Sequence, residues 1–358
     1  MSRPAAVPLS VIRDDVRALH AYPVPASAGL VKLDMMENPY SLPAELARKL
    51  GEHLGTVALN RYPPGEPGEF KRRLRARSGV PDACAMLLGN GSDELIHLVI
   101  LACARPGAVI LSPWPSFAMY RMSACLDGCR FVGVTLQSDF RIDLPAMLAA
   151  IDEHSPAVVF LSYPNNPTGN LFDRAQIEAI LEAAPGLVVI DEAYLPFARR
   201  TWMEDLPRRP NLLVLRTLSK LGLAGLRLGY LCGAPVLIEQ FDKVRPPFNV
   251  NVLTLAAVDF LLDHFDVLDA HAATVRADRE RLATELHSMA AIQVFDSAAN
   301  FLLLRVANAA GVFAKLLQQG ILIKDVSTVH PLLQNCLRVT IGTAEENAKF
   351  VHALRASI

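Results

Sequence analysis

Ala157-Val-Val-Phe-Leu-Ser162 runs directly into Tyr163-Pro-Asn-Asn-Pro-Thr-Gly169. The first stretch is apolar and of strand length, and the second carries the Pro, Asn and Gly of a tight turn. The same sequence of events recurs further along the chain. Leu187–Ile190 is followed by Asp191-Glu-Ala-Tyr194, and Leu212–Leu215 by Arg216-Thr-Leu-Ser-Lys220. Ala108–Ser112 and Leu228–Cys232 are further runs of the same kind. These runs are nearly continuous rather than alternating, as strands covered on both faces should be, and helical patterns separate several of them. The fold class this implies is α/β, with a mainly parallel central sheet flanked by helices. In open parallel sheets ligands bind beyond the carboxyl ends of the strands, which is where the three polar clusters fall. Taken singly, each has a plain structural reading: a turn, an Asp191 helix cap, a solvated Ser219-Lys220. Three of them in this order, each at the same end of a strand, point instead to a site.

The rest of the chain bounds that reading. At 358 residues it is long enough for two domains. A large domain is expected over 40–255, with a smaller α+β domain formed by 1–39 and 256–358. The first nine residues read as a tail and Leu9–His20 as a short helix. The pattern from Leu253 to Met289 is helical. Phe301–Val306 and Leu337–Ile341 are strand-like, and a last helix is expected over Ala344–Ala356. A formal net charge of −1 gives no basic field for nucleic acid. The nine histidines make no metal-ligand spacing, and the six cysteines form no CxxC, so they read as reduced thiols of the core. No signal peptide is evident. The longest apolar run, Leu95–Ala104, is interrupted by His97 and is too short to span a bilayer. A cytoplasmic small-molecule enzyme fits this balance, with neither nucleic acid nor membrane as partner. A nicotinamide-binding fold is disfavoured, because Gly89-Asn-Gly91 does not continue to the third glycine of G-x-G-x-x-G. A ligand-sensing regulator is disfavoured too, since the chain has no spare length for a DNA-binding module.

The set Asn165-Asn-Pro-Thr-Gly169, Asp191-Glu-Ala-Tyr194 and Thr217-Leu-Ser-Lys220, with Arg227 soon after, resembles the fold-type I pyridoxal-phosphate aminotransferases. The resemblance runs from about residue 30 to the C-terminus. With Asn60-Arg-Tyr-Pro63, Gly89-Asn-Gly-Ser-Asp-Glu94 and Leu337-Arg-Val-Thr-Ile-Gly-Thr343 added, the chain most resembles the histidinol-phosphate aminotransferase branch. The resemblance implies pyridoxal 5'-phosphate as cofactor, an electron sink for which the protein supplies a lysine and an acidic partner of the pyridine nitrogen. Lys220 is then the Schiff-base lysine and proton shuttle, and Asp191 the partner of the ring nitrogen. Asn166 and Tyr194 are implied at the ring's phenolic oxygen, with a cis peptide expected between Asn166 and Pro167. Ser92 and Asp93 open the apolar helix that follows Gly91, a natural anion site for the cofactor phosphate. Ser219 and Arg227 would join them there, with Thr217 a further candidate.

The resemblance also places Phe117 against the cofactor ring. It makes Tyr62 the phosphate-reaching tyrosine of a neighbouring subunit, so that a homodimer shares its active sites. Arg338 corresponds to the arginine that holds the substrate carboxylate. Lys324 stands where many members of the branch carry arginine, keeping the charge without the bidentate fork. Tyr22 and Asn38 fall in the segment the family folds over the substrate. The loop between Lys220 and Arg227 is one residue shorter than in many relatives. The implied reaction moves an amino group between L-histidinol phosphate and 2-oxoglutarate, with glutamate as the partner amino acid, in histidine biosynthesis. An aromatic amino-acid aminotransferase or a phospho-amino-acid decarboxylase of the same fold are the alternatives.

Overall fold

The computed structural model describes residues 9–18 and 25–358. Among the described residues thirteen strands follow one another: β1 (Val31–Lys32), β2 (Ala85–Asn90), β3 (Val109–Trp114), β4 (Arg130–Thr135), β5 (Val158–Ser162), β6 (Leu187–Asp191), β7 (Leu212–Thr217), β8 (Leu228–Gly233), β9 (Gln293–Val294), β10 (Phe301–Arg305), β11 (Ile321–Leu322), β12 (Lys324–Asp325) and β13 (Cys336–Thr340). Seven form one sheet in the order β2-β8-β7-β6-β5-β3-β4. The apolar runs at its centre are continuous because both faces are covered. Val159, Leu161, Val188, Ile190, Leu212 and Val214 feed one core, while Val158, Phe160, Val189, Leu213 and Leu215 feed another. The period of two along a strand divides each run between the two layers. Each such side chain, fully buried, contributes about 1.5–3 kcal/mol of hydrophobic stabilisation before entropy is counted. Helices Ser92–Cys103, Ala118–Leu126 and Pro235–Val244 supply Leu95, Ile96, Val99, Tyr120 and Phe241 to the second core, and helices Leu144–His154 and Arg174–Ala183 supply Met147 and Ile177 to the first.

The sheet is parallel except at β8, which runs antiparallel to both β7 and β2. The physical reason is length. A parallel return needs a crossover of a dozen or more residues, and only residues 218–227 separate β7 from β8. Two strands of this seven-stranded sheet lie outside the apolar runs expected from sequence. β2 has too short an apolar centre, and β4 is the half-exposed edge strand with Gly133 inside it.

The C-terminal third builds a four-stranded antiparallel sheet, β12-β13-β10-β9. Around it stand helices Phe265–His287, Ala309–Gln318 and Ala344–Arg355, the last held by a capping box of Thr343 and Glu346. The helical stretch expected from Leu253 to Met289 is two helices, Val252–Leu262 and Phe265–His287, separated at Asp263 and His264. The N-terminal segment joins this region through β1, which pairs in parallel with β11. Leu9–Val11 is a 3-10 turn and Asp14–Arg17 a single helical turn, in place of one helix to His20, and residues 19–20 lie outside the described residues. Among the described residues no helix is long and apolar enough to cross a membrane.

Candidate functional site

The carboxyl ends of β5, β6 and β7 bring the three polar clusters together. β6 ends on Asp191, whose carboxylate is buried beneath the site. Its Oδ1 accepts from the Ala193 amide at 3.0 Å and its Oδ2 from the Tyr120 hydroxyl at 2.8 Å. Burial pushes its pKa up to about 6, against the two hydrogen bonds that favour the charged form. On the next residue the side chain points to the opposite face, where Glu192 pairs with Arg216 of β7 at 2.8 Å. Glu192 also accepts from the Trp202 amide at 2.6 Å and from the Thr201 hydroxyl, so this buried ion pair is satisfied on several sides. It fastens the residue that follows Asp191 to β7, four residues before Lys220.

Lys220 sits in the 3-10 turn Ser219–Leu221 that follows β7. Its Nζ donates to the Met35 carbonyl at 3.0 Å. Burial, helped by the Arg338 guanidinium, lowers its pKa to about 8, so that a substantial fraction of the amine is neutral near that pH. Arg338, on β13, donates to the Asn166 side-chain oxygen at 2.5 Å and to the Asp34 carbonyl at 2.9 Å. Asn166 in turn donates to the Tyr194 hydroxyl at 3.1 Å. The Asn166–Pro167 peptide is cis, as expected from the sequence. Residues 34–35 of the N-terminal segment therefore touch both Lys220 and Arg338 through backbone carbonyls. Nothing in the sequence marks carbonyl contacts of this kind.

A third group of residues lies at the N-terminus of helix Ser92–Cys103. Gly91 has φ +82°, and a Cβ there would come within 2.5 Å of the Arg227 guanidinium. A Cβ on Gly229 would come within 2.6 Å of the Gly91 carbonyl carbon. Glycine is thus favoured at 91 by its positive φ and required at 229 by close approach to backbone. Arg227 donates to the Ser219 hydroxyl at 3.3 Å and lies 3.5 Å from Asp93. Thr217 accepts from the Ser219 amide and donates to the Ser219 hydroxyl, so it shapes the turn that presents Ser219. A helix N-terminus with no side-chain cap, two hydroxyls and a guanidinium is a donor set suited to a dianion. This set, with the buried amine of Lys220 and the buried carboxylate of Asp191, fits pyridoxal phosphate at both ends of the molecule.

The remaining sequence candidates divide into inner and outer positions. Phe117 precedes helix Ala118–Leu126 and meets the Tyr120 ring edge-on at 5.6 Å. Asn38 donates to the Leu221 carbonyl at 3.2 Å, tying the N-terminal segment to the loop after Lys220. Lys324 is the direct cross-strand partner of Arg338, which sets both cations on the same face of the small sheet. Tyr62 is 80% exposed and stacks on Phe248 at 4.8 Å, outside the cluster. Tyr22 lies outside the described residues. Sequence reasoning missed Tyr120, Glu192 and Arg216. The spacing of Phe117 and Tyr120, one helical turn apart, was the available signal for Tyr120. The pair Glu192–Arg216 could be recognised only once β6 and β7 were known to be neighbours.

A family model described as aminotransferase class I and II matches residues 28–354. The chain is 58% identical to a histidinol-phosphate aminotransferase of Ralstonia nicotianae, over 97% of this chain and 94% of that one. It is 56% identical to one of Burkholderia lata, over 98% and 99% of the two chains. Among solved structures, the histidinol-phosphate aminotransferase of Sinorhizobium meliloti in complex with pyridoxal-5'-phosphate superposes with a TM-score of 0.85. It covers 97% of this chain and 98% of that one, at 23% identity, a likeness of fold. A match of this extent to one family, on a chain whose strand ends carry these side chains, leaves a plain conclusion: the chain belongs to the class I and II aminotransferases, in the group of the histidinol-phosphate aminotransferases.

Proposed function

We propose that the protein transfers an amino group between L-histidinol phosphate and 2-oxoglutarate, giving imidazole-acetol phosphate and L-glutamate, as a step of histidine biosynthesis. The observation that carries this is the convergence of Lys220, Asp191 and the glycine-lined helix N-terminus in a chain 56–58% identical to histidinol-phosphate aminotransferases over nearly its full length. Pyridoxal phosphate, when bound, supplies an electron sink at the carbon from which the amino group leaves. Lys220 would hold it through Nζ, and its depressed pKa suits that amine to take and return the proton at the substrate's Cα. Asp191 would keep the proton on the pyridine nitrogen. Asn166 and Tyr194 would hydrogen-bond the ring's phenolic oxygen, and Phe117 would lie against the ring.

Ser92, the free amides of its helix, Ser219 and Arg227 would receive the cofactor phosphate. Thr217 and Asp93 would serve it indirectly, by shaping the turn at Ser219 and holding Arg227. Arg338 is suited to both substrates, because its fork pairs with a carboxylate of glutamate or a phosphate of histidinol phosphate. Lys324 beside it adds the second cation that a phosphate favours. Tyr22 and Asn38 would close over the substrate from the N-terminal segment.

Tyr62 would serve the site of a second copy, making a homodimer with shared active sites. In support, the segments carrying Tyr62 and Phe248 also expose Leu59 and Leu253, more apolar surface than a lone subunit gains from displaying. We further propose a large cofactor-binding unit at 40–255 and a smaller one from 1–39 and 256–358. All six cysteines are free, which suits a reducing cytoplasm.

The deciding experiment compares kcat/KM for histidinol phosphate and for phenylalanine, each with 2-oxoglutarate. A clear preference for histidinol phosphate is expected. Preference for phenylalanine would assign the protein to aromatic amino acids instead.

A further inference from the structure

Tyr120 lies in the first turn of helix Ala118–Leu126 and is wholly buried. Its ring stacks on Phe160 of β5, with centroids 4.7 Å apart and planes 13° from parallel, and meets Phe117 edge-on. Those contacts fix the phenol in a single place. Its hydroxyl is 2.8 Å from Asp191 Oδ2. Burial and the adjacent carboxylate raise its own pKa well above the usual tyrosine value, so the phenol keeps its proton and can only donate to Asp191. The Ala193 amide holds the other oxygen. Each carboxylate oxygen thus has one donor, from a different part of the chain, and together they fix the carboxylate plane.

We propose that Tyr120 is a positioning residue that keeps Asp191 ionised and aims its remaining lone pairs at the pyridine nitrogen of the cofactor. The inference rests on the role of Asp191 given under the proposed function. The balance around Asp191 makes the hydroxyl matter. Burial favours the protonated acid, and the carboxylates of Asp93 and Glu192 push the same way, the latter offset by Arg216. Only the Tyr120 and Ala193 hydrogen bonds oppose them among the largest influences. Without the phenol the carboxylate would have a higher proton affinity and one degree of rotational freedom. The proton it shares with the ring nitrogen would then move toward the acid, leaving the ring less electron-poor. The i to i+3 spacing gives one helical turn two duties, since Phe117 reaches the ring and Tyr120 its carboxylate.

The test uses the holoenzyme loaded with pyridoxal phosphate carrying ¹⁵N in the ring. Tyr120→Phe keeps the stacked ring and should bind cofactor on Lys220. Its ring ¹⁵N resonance should move toward the unprotonated position, and kcat should fall about 10–100-fold, the loss of one hydrogen bond to a charged group. KM for both substrates should change far less. Phe160→Leu loosens the stack but keeps the hydroxyl, so the resonance should stay. In an Asp191→Asn background Tyr120→Phe should cost no further turnover. Should Tyr120→Phe not fold, site-specific replacement of Tyr120 by 3,5-difluorotyrosine, a stronger donor of the same shape, should shift the resonance the opposite way. A resonance that moves in neither the Phe nor the difluorotyrosine protein, or an equal loss of turnover with and without Asp191, overturns the inference. Reduced cofactor found on a lysine other than Lys220 in the wild type would instead remove the proposed function beneath it.

Discussion

The strand ends around Asp191 and the rim around Tyr62 are opposite kinds of surface. At the strand ends, polar groups are buried and matched within one chain: Asp191 by Tyr120 and Ala193, Glu192 by Arg216, and Arg338 by Asn166 and Asp34. At the rim an aromatic pair, Tyr62 on Phe248, faces outward with Leu59 and Leu253 exposed on the same segments. The first region uses low dielectric to set charge states, shifting Lys220 and Asp191 toward each other on the pH scale. The second has no such means, because water screens it. The comparison teaches that one chain suffices to bury and pair the groups proposed to react, while the outer wall is where the proposed second copy would act.

The largest expected effect tests the inner region. Lys220→Ala should lose turnover by several orders of magnitude while still taking up cofactor without a covalent link. Borohydride treatment and peptide mapping should place the wild-type adduct on Lys220 alone. Asp191→Asn comes next, with a fall of about 10²–10⁴-fold, the scale of a misplaced proton in general acid–base chemistry. Its fold should survive, because size and shape hardly change, and near-normal turnover would show that the buried carboxylate has another task. The rim is tested by mixing. Inactive Lys220→Ala subunits and Tyr62→Phe subunits should regain activity once they exchange, since each hybrid would hold one intact site. Proven exchange without any gain would break the comparison, by making the site complete within one chain.

A smaller effect separates the two cations on β12 and β13. Lys324→Ala should weaken histidinol phosphate about tenfold, the worth of one charge-assisted hydrogen bond, and glutamate less. Arg338→Ala should damage both half-reactions. Smallest is a stability effect in cofactor-free protein. Lys220 has a folded pKa of about 8 against 10.5 when exposed. Below about pH 8 it is charged in both states, and burying that charge costs stability in full. The cost fades as pH rises from 8 toward 10.5. Lys220→Met should therefore melt about 2–4 °C higher than wild type at pH 7, and that advantage should vanish near pH 10. An advantage that grew with pH would reverse the sign of the argument and show that burial does not set this pKa.

Much of the inner region was legible before any coordinates. Runs such as Ala157–Ser162 and Leu212–Leu215 announced doubly covered strands, and the polar clusters behind them carried Asn166, Asp191 and Lys220 to one end of the sheet. That follows from a local rule, since side-chain chemistry and strand period are written in neighbouring residues. The reversal of β8 was also implicit, in the shortness of residues 218–227, but the apolar run Leu228–Cys232 does not state its own direction.

Other features belong to tertiary structure alone. The Lys220 amine finds the Met35 carbonyl, Arg338 finds Asn166 and Asp34, and Tyr120 finds Asp191 across separations of 71 to 304 residues. Sequence determined which groups could accept, donate or carry charge. Only the packing of the two sheets and the N-terminal segment decided which of them meet, because a hydrogen bond acts over about 3 Å and the chain brings such partners together only by folding.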